Sequence, residues 1–346
     1  MSGDGEERFT TPERTPEDAD KSLRPTSFEG FVGQARVVKN LRTWIKAAQV
    51  GARPLDHVLF TGPPGLGKTT LANLVAGEMG ARLEVTSGPV IEKSGDLAGV
   101  LIKLRRGDVL FIDEVHRLRT DIEEYLYSAM EDYRIDLTID EGPNARTIGV
   151  NLQRFTLVGA TTRAGLLTKP FRDRFGIHEH LKAYPDDELE QIVRRSAGLL
   201  GVEIEDAAAA LIATRSRGTP RVANRFLARL RDVAVAHGDG RISVPVAERG
   251  LAMLGVDERG LDEMDRRILS VLAQDPGNAV GLKTLAVATS EEEGTIEDVY
   301  EPHLIRHGYL RKTPRGRVLG PKGYELFGLE LPSARQQAAE QGSLFA

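Results

Sequence analysis

Short, wholly apolar runs alternate with helical stripes through the first half of the chain, and helical stripes dominate the second half. His57-Val58-Leu59-Phe60, Val109-Leu110-Phe111-Ile112 and Phe155-Thr156-Leu157-Val158-Gly159-Ala160 each read as a strand buried on both faces. Arg82-Leu83-Glu84-Val85-Thr86 reads as a further strand. Such strands, separated by helical segments, predict a parallel sheet covered by helices on both sides. Ahead of the first strand, Val37, Val38, Leu41, Trp44, Ile45 and Ala48 fall on one helical face, which places the only tryptophan in the core. Residues 134–150 alternate instead with period two around Asp140-Glu141-Gly142-Pro143-Asn144, a hairpin pattern. Apolar residues on both of its arms leave two readings open, a protruding partner-binding finger or simple edge strands.

From Tyr184-Pro185-Asp186-Asp187 onward the period is helical. Leu189, Ile192 and Val193 stripe one helix, Asp206 to Ser216 makes a second, and Val222, Phe226, Leu227 and Leu230 stripe a third. Gly255-Val256-Asp257-Glu258-Arg259-Gly260 reads as a linker. Beyond it come helices over Leu261 to Leu272, Leu282 to Ala288 and Thr295 to His307, the last bent at Pro302. Tyr309 to Thr313 and Arg317 to Leu319 then flank Pro314-Arg315-Gly316, so three helices and a hairpin predict a winged helix.

Composition narrows the class without naming a chemistry. At 346 residues with 40% hydrophobic and 28% charged positions, the chain is an ordinary globular protein of two or three domains. No apolar run reaches the roughly 18 residues of a membrane span, and the acidic, polar start is not a secretory signal. The absence of cysteine excludes disulfides and thiolate chemistry, which fits a cytoplasmic location. The net charge of −5 arises at one end: residues 1–20 hold seven acids and two bases, which leaves the other 326 residues neutral overall. That leading segment is expected to be disordered. Local charge therefore carries the information. Between His303 and Lys322 stand six bases (Arg306, Arg311, Lys312, Arg315, Arg317, Lys322) and no acid, a footprint for a phosphate backbone unless it is only a solvated basic loop.

The candidate chemistry centres on Gly62-Pro63-Pro64-Gly65-Leu66-Gly67-Lys68-Thr69, between the strand ending at Phe60 and a helix striped by Leu71, Leu74 and Val75. Glycines there permit tight backbone geometry with N–H groups aimed at phosphate oxygens. Lys68 would reach the β- and γ-phosphates and the Thr69 hydroxyl would ligate Mg²⁺. Asp113 and Glu114 follow a buried strand directly, at the end where parallel sheets bind ligands. Asp113 would hold the Mg²⁺ and Glu114 would polarise the attacking water. His116 reads as a residue supporting these or starting the next helix. Two arginines stand out as well. Arg172 and Arg174 lie between Phe171 and Phe175, solvated or reaching a neighbouring subunit's phosphate. Arg221 occupies a first helical turn, where a cation is unfavourable unless an anion or an ion pair compensates it.

Taken together, these motifs resemble the AAA+ ATPases. The order Leu23-Arg24-Pro25 through Gln34, the glycine loop, Asp113-Glu114-Val115-His116-Arg117-Leu118, Gly159-Ala160-Thr161-Thr162-Arg163 and Phe171-Arg172-Asp173-Arg174-Phe175-Gly176 is similar to the branch-migration motors of that family. The resemblance runs from about Leu23 to about Gly328. It implies an α/β fold: an AAA+ P-loop domain with a parallel sheet (21–183), a helical lid (184–255) and a C-terminal winged-helix DNA-binding domain (256–330), between tails at 1–20 and 331–346.

The same resemblance assigns roles. Leu23, Arg24 and Tyr184 would bracket an adenine nucleotide, and Gly62, Gly65, Leu66, Gly67, Lys68, Thr69 and Thr70 would hold its phosphates. Glu131, Asp132 and Tyr133 would add to the nucleotide site. Thr162 would be the first sensor, where the wider superfamily usually has Asn. Arg174 would complete a neighbour's site, and Arg221 would sense the γ-phosphate. Arg311, Lys312, Arg315 and Arg317 would contact duplex DNA. Implied cofactors are ATP and Mg²⁺. Implied partners are five further copies in a hexameric ring, RuvA through the hairpin around 134–150, RuvC, and junction DNA. AAA+ loaders or initiators, which use ATP as a switch without translocation, are the alternative, and a winged-helix regulator with an ATPase sensor is another. The final Gln341-Gly342-Ser343-Leu344-Phe345 resembles short peptides that grip the sliding clamp.

Overall fold

The computed structural model describes residues 23–139 and 146–331. The acidic tail at 1–20, the hairpin turn Asp140–Asn144 and the clamp-like Gln341–Phe345 lie outside the described residues.

In chain order the first domain comprises α1 (Ala35–Val50), β1 (Val58–Thr61), α2 (Lys68–Glu78), β2 (Leu83–Ser87), α3 (Ser94–Leu101), β3 (Val109–Asp113), α4 (Thr120–Glu131), β4 (Arg134–Ile139), β5 (Arg146–Asn151), β6 (Thr156–Thr161), α5 (Lys169–Asp173) and β7 (Ile177–His180). Five of the strands form one parallel sheet in the order β2-β3-β6-β1-β7. Alternate residues of its central strands feed two cores, as the two-residue period of a strand requires. Val58, Phe60, Val109, Phe111, Val158 and Ala160 pack on one side with α1 and α2. Leu59, Leu110, Ile112 and Leu157 pack on the other with α3, α4 and Phe155. Each fully buried aliphatic or aromatic side chain stabilises the fold by about 1.5–3 kcal/mol.

Strand order decides where the chemistry falls. β6 lies between β1 and β3, so its C-terminal end separates the glycine loop after β1 from the acids after β3. β7 does not follow the all-apolar pattern. Its residues are alternately buried and exposed, and it pairs with β1 at the sheet edge.

Trp44 departs from expectation. α1 buries Val37, Leu41, Ile45 and Ala48, while Trp44 remains 47% exposed. The i, i+4, i+8 row is sufficient to cover the sheet, and position 44 lies on its flank. The β4–β5 hairpin forms with Ile135 opposite Val150 and Leu137 opposite Ile148. Ile135 is buried in the core beneath α4, and Leu137 and Val150 pack against it, so this core anchors the base of the hairpin. Ile148 is half exposed.

The second region is a bundle of α6 (Asp186–Leu200), α7 (Asp206–Arg215), α8 (Pro220–His237) and α9 (Val244–Met253), whose core is continuous with that of α1 and α2. The third has its own core and holds α10 (Glu263–Ala273), α11 (Leu282–Thr289), α12 (Glu293–Thr295), α13 (Glu301–Arg306), strands β8 (Leu310–Thr313) and β9 (Gly316–Leu319), and α14 (Pro321–Leu326). Between α12 and α13 the chain makes a π-turn over Ile296–Tyr300, with Glu301 N–H donating to Ile296 O. The turn sits just before Pro302, whose missing N–H is where the predicted bend falls. Among the described residues, no helix is long and apolar enough to cross a membrane.

Candidate nucleotide site

Gly62, Gly65 and Gly67 all have positive φ (133°, 75° and 101°), so the loop after β1 folds back on itself before α2 begins. That geometry directs the N–H groups at the start of α2 into a cleft lined by Leu23, Arg24, Gly65, Lys68, Thr69, Thr70, Asp113, Glu114, Tyr184 and Arg221, among others. The enclosed space is about 130 Å³. Lys68 is buried, and its Nζ donates to Gly62 O (2.8 Å) and Pro63 O (2.9 Å). Burial lowers its pKa, and the carboxylates of Asp113 and Glu114 work against that shift. Across the cleft, Thr69 Oγ1 donates to Asp113 Oδ2 at 3.5 Å. A hydroxyl beside a carboxylate is a hard-oxygen pair that fits Mg²⁺, which takes few protein ligands and completes its shell with phosphate and water. Among the described residues no cluster of three His, Cys, Asp or Glu could hold a metal alone.

Glu114 occupies the left-handed region at φ 49°, directly after β3. Its carboxyl pKa is raised, first by burial and then by neighbouring Asp113. His116 Nδ1 stands 3.3 Å from Glu114 Oε2 and 2.9 Å from Thr161 Oγ1, so the histidine supports the acid. Thr162 follows β6, half-buried, at the edge between loop and acids, but it does not line the cleft.

The lid closes the cleft from above. Tyr184 N donates to Gly218 O at 2.9 Å and its hydroxyl donates to Leu66 O at 3.3 Å. Arg221 N contacts Gly65 O at 3.4 Å, and the Arg221 side chain faces the cleft from the first turn of α8. Among the groups that lie there without having been expected are Phe31, Arg195 and Asn224. Arg195 donates to Leu23 O (2.9 Å) and Gly30 O (2.5 Å), pinning the segment that carries Leu23 and Arg24. Asn224 lies one turn after Arg221, a spacing visible in the sequence, and its buried Oδ1 has no partner.

Arg174 is not in this cleft. It caps α5, with NH1 donating to Pro170 O (2.7 Å), NH2 3.3 Å from Glu131 and its guanidinium 4.1 Å above the Tyr127 ring. Glu131, Asp132 and Tyr133 are likewise outside the cleft of their own chain. Glu131 is exposed beside Arg174, Asp132 is exposed, and Tyr133 packs on Phe155 and His57.

Comparison with known proteins agrees along the described length. Residues 23–181 match the model of the Holliday junction DNA helicase RuvB P-loop domain, 184–257 the RuvB AAA lid domain and 258–328 the RuvB C-terminal winged helix domain. The chain belongs to the RuvB family. A RuvB subunit from Salinibacter ruber is 54% identical over 330 residues, covering 95% of this chain and 96% of its own. One from Methanoregula boonei is 56% identical over 317 residues, covering 91% and 95%. The Thermotoga maritima RuvB Holliday junction branch migration motor superposes with a TM-score of 0.81 at 48% identity, over 90% of this chain and all of that one.

In this RuvB-family chain the wing is not uniformly basic at its surface. Arg311 is half-buried, and Lys312 and Arg315 are exposed. Arg317 is buried: Nε lies 2.5 Å from Glu301 Oε1 and NH2 3.2 Å from Glu297 Oε1. Arg317 is therefore corrected from a DNA contact to a structural ion pair, because its guanidinium already serves two acids from another segment. Lys312 shares them, 2.7 Å from Glu297 and 3.4 Å from Glu301.

Proposed function

We propose that this chain is the ATP-driven motor that migrates Holliday junctions, working as a homo-hexameric ring on duplex DNA together with RuvA. One observation carries the reading. The cleft gathers the loop, Lys68, the acids and Arg221, whereas Arg174 stands outside it on a surface restrained by Tyr127. A site complete except for an arginine, in a chain that holds such an arginine elsewhere, fits active sites shared between neighbours.

Lys68 and the loop N–H groups would hold the triphosphate, Thr69 and Asp113 would ligate Mg²⁺, and Leu23, Arg24 and Tyr184 would hold the base. Bound Mg²⁺–ATP supplies the phosphoanhydride bond and neutralises charge on its phosphates. Glu114, raised above an ordinary carboxyl pKa, orients and accepts a proton from the attacking water, and Thr162, at the end of β6 outside the cleft lining, would turn in to sense it. Arg174 stabilises the transferring phosphoryl group in the adjacent subunit, with Glu131 and Asp132 at the same face, and Arg221 reports the γ-phosphate to the lid. Arg311, Lys312 and Arg315 meet the DNA backbone, contacts that carry no sequence information and so suit a motor that runs on any sequence. The hairpin offers half-exposed Ile148 to RuvA, and RuvC joins the same assembly.

Migration of a synthetic four-way junction, with and without RuvA and ATP, tests the reading. ATP-dependent movement with RuvA is expected. ATP-dependent loading or melting without movement would establish the switch-like alternative instead.

A further inference from the structure

One turn of helix presents carboxylates to two different domains. In the π-turn before α13, Asp298 accepts from Arg163 Nε at 3.0 Å through both carboxylate oxygens. Its neighbour Glu297 divides its two oxygens: Oε2 lies 3.7 Å from Arg163 NH2, and Oε1 accepts from wing residue Lys312 at 2.7 Å. Arg163 therefore joins the ATPase domain to the very acid that holds the wing lysine.

On its other side Arg163 abuts the reaction centre. It directly follows Thr162, and its backbone N–H donates to Thr161 Oγ1 at 3.0 Å. The same hydroxyl meets His116 Nδ1, which stands against the Glu114 carboxyl. The path from Lys312 to Glu114 is thus continuous in polar contacts, with no gap above 3.7 Å.

We propose that Arg163 is a positioning residue through which DNA held at the wing sets the placement of Thr162 and Glu114. A DNA phosphate that takes Lys312 leaves Glu297 with less positive charge on its wing side, so the acid draws Arg163 more strongly. The pull is delivered to the end of β6, where Thr161 and Thr162 sit. Arg317, buried against Glu301 and Glu297, keeps the acidic turn fixed to the wing so that the two move together. A static clamp between domains would need only the Arg163–Asp298 pair. It would not need the acid shared with an exposed lysine on the DNA-facing hairpin.

The inference rests on the wing as the DNA contact, so the experiment separates the two. ATPase rate is measured on the full chain with and without duplex DNA, alongside DNA affinity at fixed salt. Glu297→Gln is isosteric and removes the charge through which Lys312 and Arg163 are linked. It is expected to keep the basal rate, without lowering DNA affinity, while losing about fivefold or more of the coupling between DNA and hydrolysis. Asp298→Asn, which weakens the clamp but leaves the shared acid, is expected to retain most of it. Wild-type DNA stimulation in Glu297→Gln overturns the inference, as does equal loss in both variants. An Arg311→Ala/Arg315→Ala variant run in parallel should lose DNA affinity; unchanged affinity there overturns the wing reading and the coupling with it.

Discussion

The Arg174 guanidinium lies 4.1 Å from the centre of the Tyr127 ring, parked over its face and tied by NH1 to Pro170 O. A cation over an aromatic face gains about 0.5–2 kcal/mol and loses rotamer freedom it would otherwise have. The arginine is thereby presented in one orientation on the outside of its domain. Arg174→Ala is expected to lower turnover by roughly 10³–10⁵ with nucleotide affinity unchanged. Mixed with Lys68→Ala, it should regain part of the activity, since each supplies what the other lacks. Tyr127→Leu should give an intermediate loss in kcat. Steady-state ATPase and nucleotide-binding titrations check all three, and an active Arg174→Ala alone would sink the shared-site reading.

Gly65 couples the phosphate loop to the lid. At φ 75°, a Cβ there would stand 2.7 Å from Thr219 Cγ2 and 3.1 Å from Arg221 Cβ. Gly65→Ala should therefore push the lid off the loop, weakening nucleotide binding and costing about 1–3 kcal/mol of stability through backbone strain. Calorimetry with and without nucleotide reads both effects; a variant with unchanged affinity would mean the lid does not need this approach.

Arg317 and Arg315 are both wing bases, yet they are expected to fail differently. Removing Arg317 leaves the buried Glu301 carboxylate with only Lys312, at 3.4 Å, so Arg317→Ala should cost up to roughly 3–5 kcal/mol of stability. Arg315→Ala should leave the melting temperature in place and reduce the salt dependence of DNA binding by about one counterion. Thermal melts paired with salt titrations distinguish them.

His303 sets an acid limit on the third domain. It is buried with both ring nitrogens unpartnered, and burial, reinforced by Arg217, pushes its pKa down to about 2. The unfolded chain, with an ordinary histidine pKa near 6.5, then binds more protons than the folded one below that value. Stability from the neutral histidine is present above about pH 6.5 and declines as pH falls toward about 2. His303→Leu should flatten the acid limb of melting temperature against pH. An unchanged slope would show that the folded protein accommodates the charged ring.

Local order along the chain determined the phosphate loop, the acids after β3, the winged-helix pattern and the odd placement of Arg221, because each depends on neighbours a few residues away. A glycine turn between a buried strand and a helix needs no distant partner to be recognised. Tertiary structure decided the rest. The edge strand β7 is too polar to announce itself and exists because β1 has a free side. Trp44 looks like core until the sheet shows that four other residues of α1 already cover it. Arg195 and Asn224 join the cleft only through the packing of the lid. Arg317 and Lys312 are equal bases in the sequence; acids some 11 to 20 residues earlier bury one and leave the other at the surface. Residue types fix which interactions a chain can make, but a charge has a sign without a partner, and only the fold assigns the partner.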